Sequence, residues 1–345
     1  MRRLWLAGIF LLFFVSVAGA APAADGSPPE KVSLMWQQPK PEETRLIFPG
    51  RPAGVNVISP CWFAIVDAQG KITSIADAAY VQAAKASGLK IWPLVTNSFD
   101  PELTHALLAS PLARHRVAGE LVQLVQQYGL DGINLDFENI AAADRDALTS
   151  FVSELAASLH AAGAAVSVDV TVPAADPDWS LCYDRAALAA AVDYLMLMGY
   201  DEHIPGGAES GSVASLPWVE RGIGETLASG VPAGKLVLGM PLYMRLWSEK
   251  DGKVHGRTLH MPEADALWQE KKVSRQWLPS AGQYYYEYTE SGTRYRVWQE
   301  DARSLALKAA FISRYDLAGA ALWKKGVETP DVWPVLAAAL ADASR

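Results

Sequence analysis

The 345-residue chain has little that could hold it together covalently or keep it in a bilayer. It contains two cysteines, Cys61 and Cys182; a disulfide-stapled scaffold is excluded, and their sequence separation leaves their pairing open. Positive charge is in deficit, with 30 Lys and Arg against 38 Asp and Glu and a formal charge of -8. Nucleic acid is therefore not expected as a partner, because phosphate binding needs a basic footprint. Glycine and proline are scattered rather than clustered, which excludes a collagenous or low-complexity chain. His203 has no second ligand at metal-binding spacing, so a zinc site is not expected; no cofactor is expected either. Long apolar runs are missing too. Leu4 to Val17 is the candidate, short of the roughly 20 residues that a membrane helix needs.

That run follows Arg2 and Arg3 and precedes Ala18-Gly19-Ala20-Ala21, the order of an export signal. Residues 1–24 are expected to be signal and leader, and the protein to be secreted, periplasmic or envelope-associated. An uncleaved anchor is the alternative; with cleavage, no stable membrane insertion remains. No cysteine ends the run, so the lipoprotein version of this signal is not supported.

What the sequence has is apolar and aromatic. Half of it is hydrophobic, with 12 Trp and 12 Tyr. Flat rings can stack on sugar faces or simply fill a core, and composition does not choose between them. Eight short β-type runs recur: Val32–Met35, Val55–Ser59, Ile91–Val95, Gly132–Phe137, Ala165–Val172, Tyr194–Met198, Leu236–Met240 and Gly319–Trp323. Most are separated by segments of helical period such as 116–128, 144–161 and 184–192. Alternating strands and helices predict a parallel sheet, and eight units in about 300 residues predict a closed (β/α)8 TIM barrel over residues 30–345. The connection between the seventh and eighth runs is too long for one helix. It holds two aromatic runs, Gln283–Tyr288 and Thr293–Trp298, joined through Glu290-Ser291-Gly292, which is a hairpin signal. A small α+β lobe is expected over residues 246–300, followed by a helix with Asp301 as its N-cap.

Asp131 to Asn139 reads D-G-I-N-L-D-F-E-N. Side chains alternate along a strand, so Ile133, Leu135 and Phe137 are expected to face the helices, and Asn134, Asp136 and Glu138 the barrel axis. Two carboxylates at the inner face, near the C-terminal end of a strand, are costly to bury unless they have partners or a task. That end is where barrel enzymes keep their active sites. An internal hydrogen-bonded cluster is the structural alternative.

The motif resembles the D-x-x-D-x-D-x-E signature of glycoside hydrolase family 18, the chitinase-like barrels. From Val55 to Leu336 the chain is similar to the bacterial subgroup of spore-germination and cortex-lytic N-acetylglucosaminidases, through N-V-I-S-P-C-W-F, S-V-D-V-T-V-P, M-G-Y-D-E-H, G-M-P-L-Y-M-R-L-W and V-W-Q-E-D. Asn134 departs from the broader family, where the middle aspartate stands. The resemblance implies a glycosidase that cleaves β-1,4 bonds next to N-acetylglucosamine, in peptidoglycan or chitin-type glycans, with retention. It assigns Glu138 as general acid and base, Asp136 as the acceptor that orients the 2-acetamido nucleophile, and Tyr200 as donor to the acetamido oxygen. Trp323 would form the floor under the sugar. Asn134, Asp169, Asp201, Tyr243 and Arg245 complete the expected substrate-binding set. Asp201 carries loop solvation as an equal alternative, and Arg245 a pairing with Asp201. Asp169 is expected to restore the inner carboxylate that Asn134 lacks. The expected partner is an N-acetylglucosamine-containing glycan, with the protein a monomer. A glycan-binding lectin on a dead barrel and an envelope scaffold are the competing classes; the intact acidic set argues against the lectin.

Overall fold

The computed structural model describes residues 30–40 and 43–343; the expected export signal lies outside them. Eight parallel strands follow one another around a closed barrel: Val32–Gln37, Val57–Ile65, a third in two pieces (Lys90–Ile91 and Leu94–Thr96), Gly132–Asp136, Ala165–Thr171, Tyr194–Met198, Leu236–Pro241 and Gly319–Trp323. The first strand closes the ring by pairing with both its neighbours, Val32 opposite Gly319 on one side and Leu34 opposite Val57 on the other. These are the eight runs read from the sequence, shifted at their ends by a few residues. The protein is a (β/α)8 barrel.

Alternation separates two cores. Ile133, Leu135 and Phe137 join the apolar layer between strands and helices, as do Leu195 and Leu197. Trp36, Trp92, Leu94, Met196 and Val237 fill the barrel interior. The helices begin as their sequences require. Asp100 and Ser110 cap the starts of Pro101–Ala109 and Pro111–Tyr128, each with proline in the first turn, where its missing N–H costs nothing. Asp301 caps Ala302–Arg314 by accepting from the Ser304 amide.

Between the seventh and eighth barrel strands lies a five-stranded antiparallel sheet. It contains Tyr243–Lys250, Lys253–His260, Gln276–Leu278, Gln283–Glu290 and Thr293–Gln299, with the helix Met261–Glu270. The hairpin signal resolves into a two-residue turn with Glu290 opposite Thr293. Ser291 and Gly292 both take positive φ, 51° and 75°, the turn whose twist matches that of its strands. Tyr243 and Arg245 therefore sit on the first strand of this sheet rather than in a barrel loop.

A buried network fastens the sheet to the barrel. Lys308, on the helix before the eighth strand, donates to both oxygens of Glu300 at 2.7 and 2.8 Å, and both side chains are 1% exposed. Gln283 of the lobe donates to Glu300 at 2.6 Å and accepts from Ser212, also at 2.6 Å. Ser212 belongs to the loop that follows the sixth barrel strand.

Candidate active site

The fourth barrel strand ends at Asp136, and the residues after it turn at the barrel's C-terminal mouth. Asn97, at the end of the third strand, fixes that turn: its Nδ2 donates to the Glu138 carbonyl at 2.7 Å and its Oδ1 accepts from the Glu138 amide. Thr104 accepts from the same Nδ2. Asn97 was not singled out from the sequence, where a lone Asn after a strand looks like any turn residue. Asn139 follows with φ of 56° and donates to the Phe99 carbonyl.

Below Glu138 lies the polar floor of the barrel. Asn134 is fully buried. Its Oδ1 accepts from the Trp36 indole at 2.7 Å, and its Nδ2 donates to Ser167 at 3.0 Å and to Asp169 at 2.6 Å. Asp169 is thus beside Asn134, where the sequence placed it. Asp136 is also buried, and its Oδ1 has no hydrogen-bond partner among the described residues. Such an oxygen costs free energy until something donates to it.

Burial, and then the charge of Asp169, raises Asp136 well above the ordinary carboxylate range. Asp169 is raised as well, by burial first; the Asn134 hydrogen bond acts against that and Glu138 adds to it. Two adjacent buried carboxyls cannot both ionise readily, so the pair retains a proton. Half-buried Glu138 is raised to about 9 by burial, then by Asp136 and Asp201. It is therefore protonated at neutral pH.

These groups open into one cavity of about 500 Å³, within the usual range of roughly 300–1,000 Å³ for small-molecule sites. Asp136, Glu138, Asp169, Tyr200, Asp201, Tyr243 and Trp323 all line it. Tyr200 stands on the face shared by Met196 and Met198, with its ring edge-on to Tyr243 at 6.2 Å; burial and then Asp169 keep its hydroxyl protonated. Trp323 meets Trp36 edge-on at 5.8 Å.

Arg245 and Tyr243 serve Asp201. Both donate to its Oδ1 at 2.8 Å, so of the two readings of Arg245, pairing with Asp201 is the one found. Asp201 itself takes a positive φ of 64°. Glu202 accepts from the Ser215 amide and hydroxyl ahead of the helix Leu216–Ala228, and His203 bonds the Ser212 carbonyl; both shape the loop. The cavity rim adds Phe99, Trp179 and Trp218, none picked out from the sequence. Phe99 and Trp179 remain 42% and 38% exposed; the aromatic surplus was the available signal, but it carried no position. Cys61 lines the cavity and Cys182 is buried, both as free thiols.

An acid cluster at the C-terminal mouth of a (β/α)8 barrel, beneath a ring-lined cavity, defines a barrel enzyme. Residues 57–326 match the glycosyl hydrolases family 18 domain, and the chain belongs to that family. It is a glycosidase. A Bacillus subtilis relative, Uncharacterized glycosylase YvbX, is 27% identical over 82% of this chain and 84% of its own. The Cortical fragment-lytic enzyme of the same organism is 29% identical; the match covers 70% of this chain but 57% of that one. The crystal structure of a chitinase from Chromobacterium violaceum superposes with a TM-score of 0.77 at 27% identity, covering 91% of this chain and 98% of the other. Among the described residues, no helix is long and apolar enough to cross a membrane.

Proposed function

We propose that this glycosidase is exported and hydrolyses β-1,4 linkages next to N-acetylglucosamine by a substrate-assisted, retaining route. The observation that carries the reading is a proton-bearing Glu138 above a buried, unsatisfied Asp136 oxygen in one sugar-sized cavity. Glu138 protonates the glycosidic oxygen as the bond breaks, then takes a proton from water as the base. No second carboxylate serves as the nucleophile; the acetamido oxygen of the bound sugar attacks the anomeric carbon. Its N–H donates to the waiting Asp136 oxygen, which orients the amide and stabilises the oxazolinium charge. For that, Asp136 must be the ionised member of its pair, and Asp169 takes the shared proton. Tyr200 donates to the acetamido oxygen, and Trp323 offers its face to the ring. Asp201, held by Tyr243 and Arg245, supports the charge state of Glu138.

Relatives named for cortical fragments and for chitin both support an N-acetylglucosamine glycan as the substrate. Export rests on Arg2, Arg3 and the apolar run to Val17. The decisive measurement is turnover of a fluorogenic N-acetylglucosamine oligomer. Glu138→Gln is expected to lower kcat by at least about 10²–10⁴-fold with an unchanged circular dichroism spectrum. Binding by the wild-type protein without turnover would instead identify a lectin.

A further inference from the structure

A second cavity, of about 350 Å³, opens beside the first and shares Gln38, Asp201, Tyr243 and Trp323 with it. Its far wall combines the lobe strand, through Thr258 and His260, with Lys324, the residue after the Trp323 floor. Most basic groups here are spoken for. Arg245 pairs with Asp201 at 2.8 Å, His260 lies 3.7 Å from Glu263, and the next residue, Lys325, pairs with Glu328. Lys324 differs. The residue is half-buried, its ammonium donates to the neutral Gln38 Oε1 at 2.6 Å on the solvent-open side of the cavity, and among the described residues it makes no ion pair. The neighbouring chemistry does not explain this: the first cavity is lined by acids, yet none of them reaches Lys324 as an ion-pair partner.

A cation on a cavity wall with no counter-ion is a ready partner for an anion that enters the cavity, through a charge-assisted hydrogen bond. A chain of N-acetylglucosamine alone supplies hydroxyls and amides, and no anion. Peptidoglycan supplies one: every second sugar carries a lactyl ether, ending in a carboxylate or in a peptide with carboxylates of its own. The cavity adjoins the Trp323 floor, so it is placed for the sugar next to the one seated there.

We propose that Lys324, backed by Gln38 and the Asp201–Arg245 pair, forms an anion subsite that receives a glycan carboxylate and directs this enzyme to peptidoglycan over chitin. The inference rests on the hydrolase reading for the location of the neighbouring sugar. Its test is calorimetric binding to the Glu138→Gln protein, which removes turnover from the measurement. The titrants are a peptide-free peptidoglycan tetrasaccharide with free lactyl carboxylates, the same tetrasaccharide bearing stem peptides, and the N-acetylglucosamine tetramer. The expected result is tighter binding of an anionic oligomer, weakened about tenfold by Lys324→Met, largely restored by Lys324→Arg and eroded by salt. The neutral tetramer should change less than twofold. Preference confined to the peptide-free form assigns the contact to the lactyl group; preference kept with peptides assigns it to the stem carboxylates. Equal binding of all three oligomers, or equal weakening of all three by Lys324→Met, overturns the subsite. Wild-type turnover of these oligomers is measured alongside: its absence sinks the hydrolase reading, while the binding ratios still decide the subsite.

Discussion

Glu138 owes its proton to three causes in order: burial, Asp136 and Asp201. The last can be removed without emptying the site, because Asp201→Asn keeps an oxygen for Tyr243 and Arg245. The basic limb of kcat/KM, expected near 9 in the wild type, should move to lower pH in Asp201→Asn. The same shift has a consequence for stability. A carboxyl raised in the folded state binds its proton more tightly there than in the unfolded chain. Its stabilisation is complete below the ordinary value near 4.5 and is lost as pH rises through about 9. Melting temperature should therefore fall across that window in the wild type, and less steeply in Glu138→Gln; parallel slopes would contradict the assignment. Asp169→Asn removes the proposed proton acceptor, so it should lower turnover and displace the pH profile. An unchanged profile would mean that Asp169 only anchors Asn134.

At the scale of elements, the junction between barrel and lobe depends on one buried pair. Lys308→Met leaves Glu300 charged and enclosed, and a broken buried pair costs about 3–5 kcal/mol. Thermal or urea unfolding should show that loss, with a smaller loss in the double variant Lys308→Met with Glu300→Gln. The barrel strands were legible because alternation and helical spacing are local: Ile133, Leu135 and Phe137 announce their face within five residues. The 301–315 helix was legible through its cap. The lobe was legible only in part. Gln283–Glu290 and Thr293–Gln299 declare a hairpin, but Tyr243–Lys250 and Lys253–His260 mix basic, polar and apolar residues, with burial that follows long-range packing. Gly319 illustrates the same limit. A Cβ there would lie 1.9 Å from the Val32 carbonyl oxygen, a contact with a strand nearly 300 residues away in sequence. The acidic motif was readable because its spacing is contiguous; Asn97, Trp179 and Lys324 were not, because only the closed fold brings them to the mouth.

For the whole molecule, the ring closes through its first strand, and that strand also reaches the site: Trp36 donates to Asn134, which donates to Asp169. Deleting residues 31–37 should therefore do more than expose an edge. It removes two strand ladders and the indole that holds Asn134, so the truncated chain should lose cooperative unfolding and all turnover together. A truncated protein that kept a sharp melt and measurable hydrolysis would show that the ring is not required.

Because Val32 must find Gly319, this catalyst cannot be switched on piecemeal during translation. A ribosome-bound chain has the acid motif well before it has the last staves of the barrel, and the motif stays powerless until some 190 further residues have been added. Fully made but unfolded polypeptide likewise lacks the assembled acid cluster, because the pairing of Val32 with Gly319 is part of the ring that holds it.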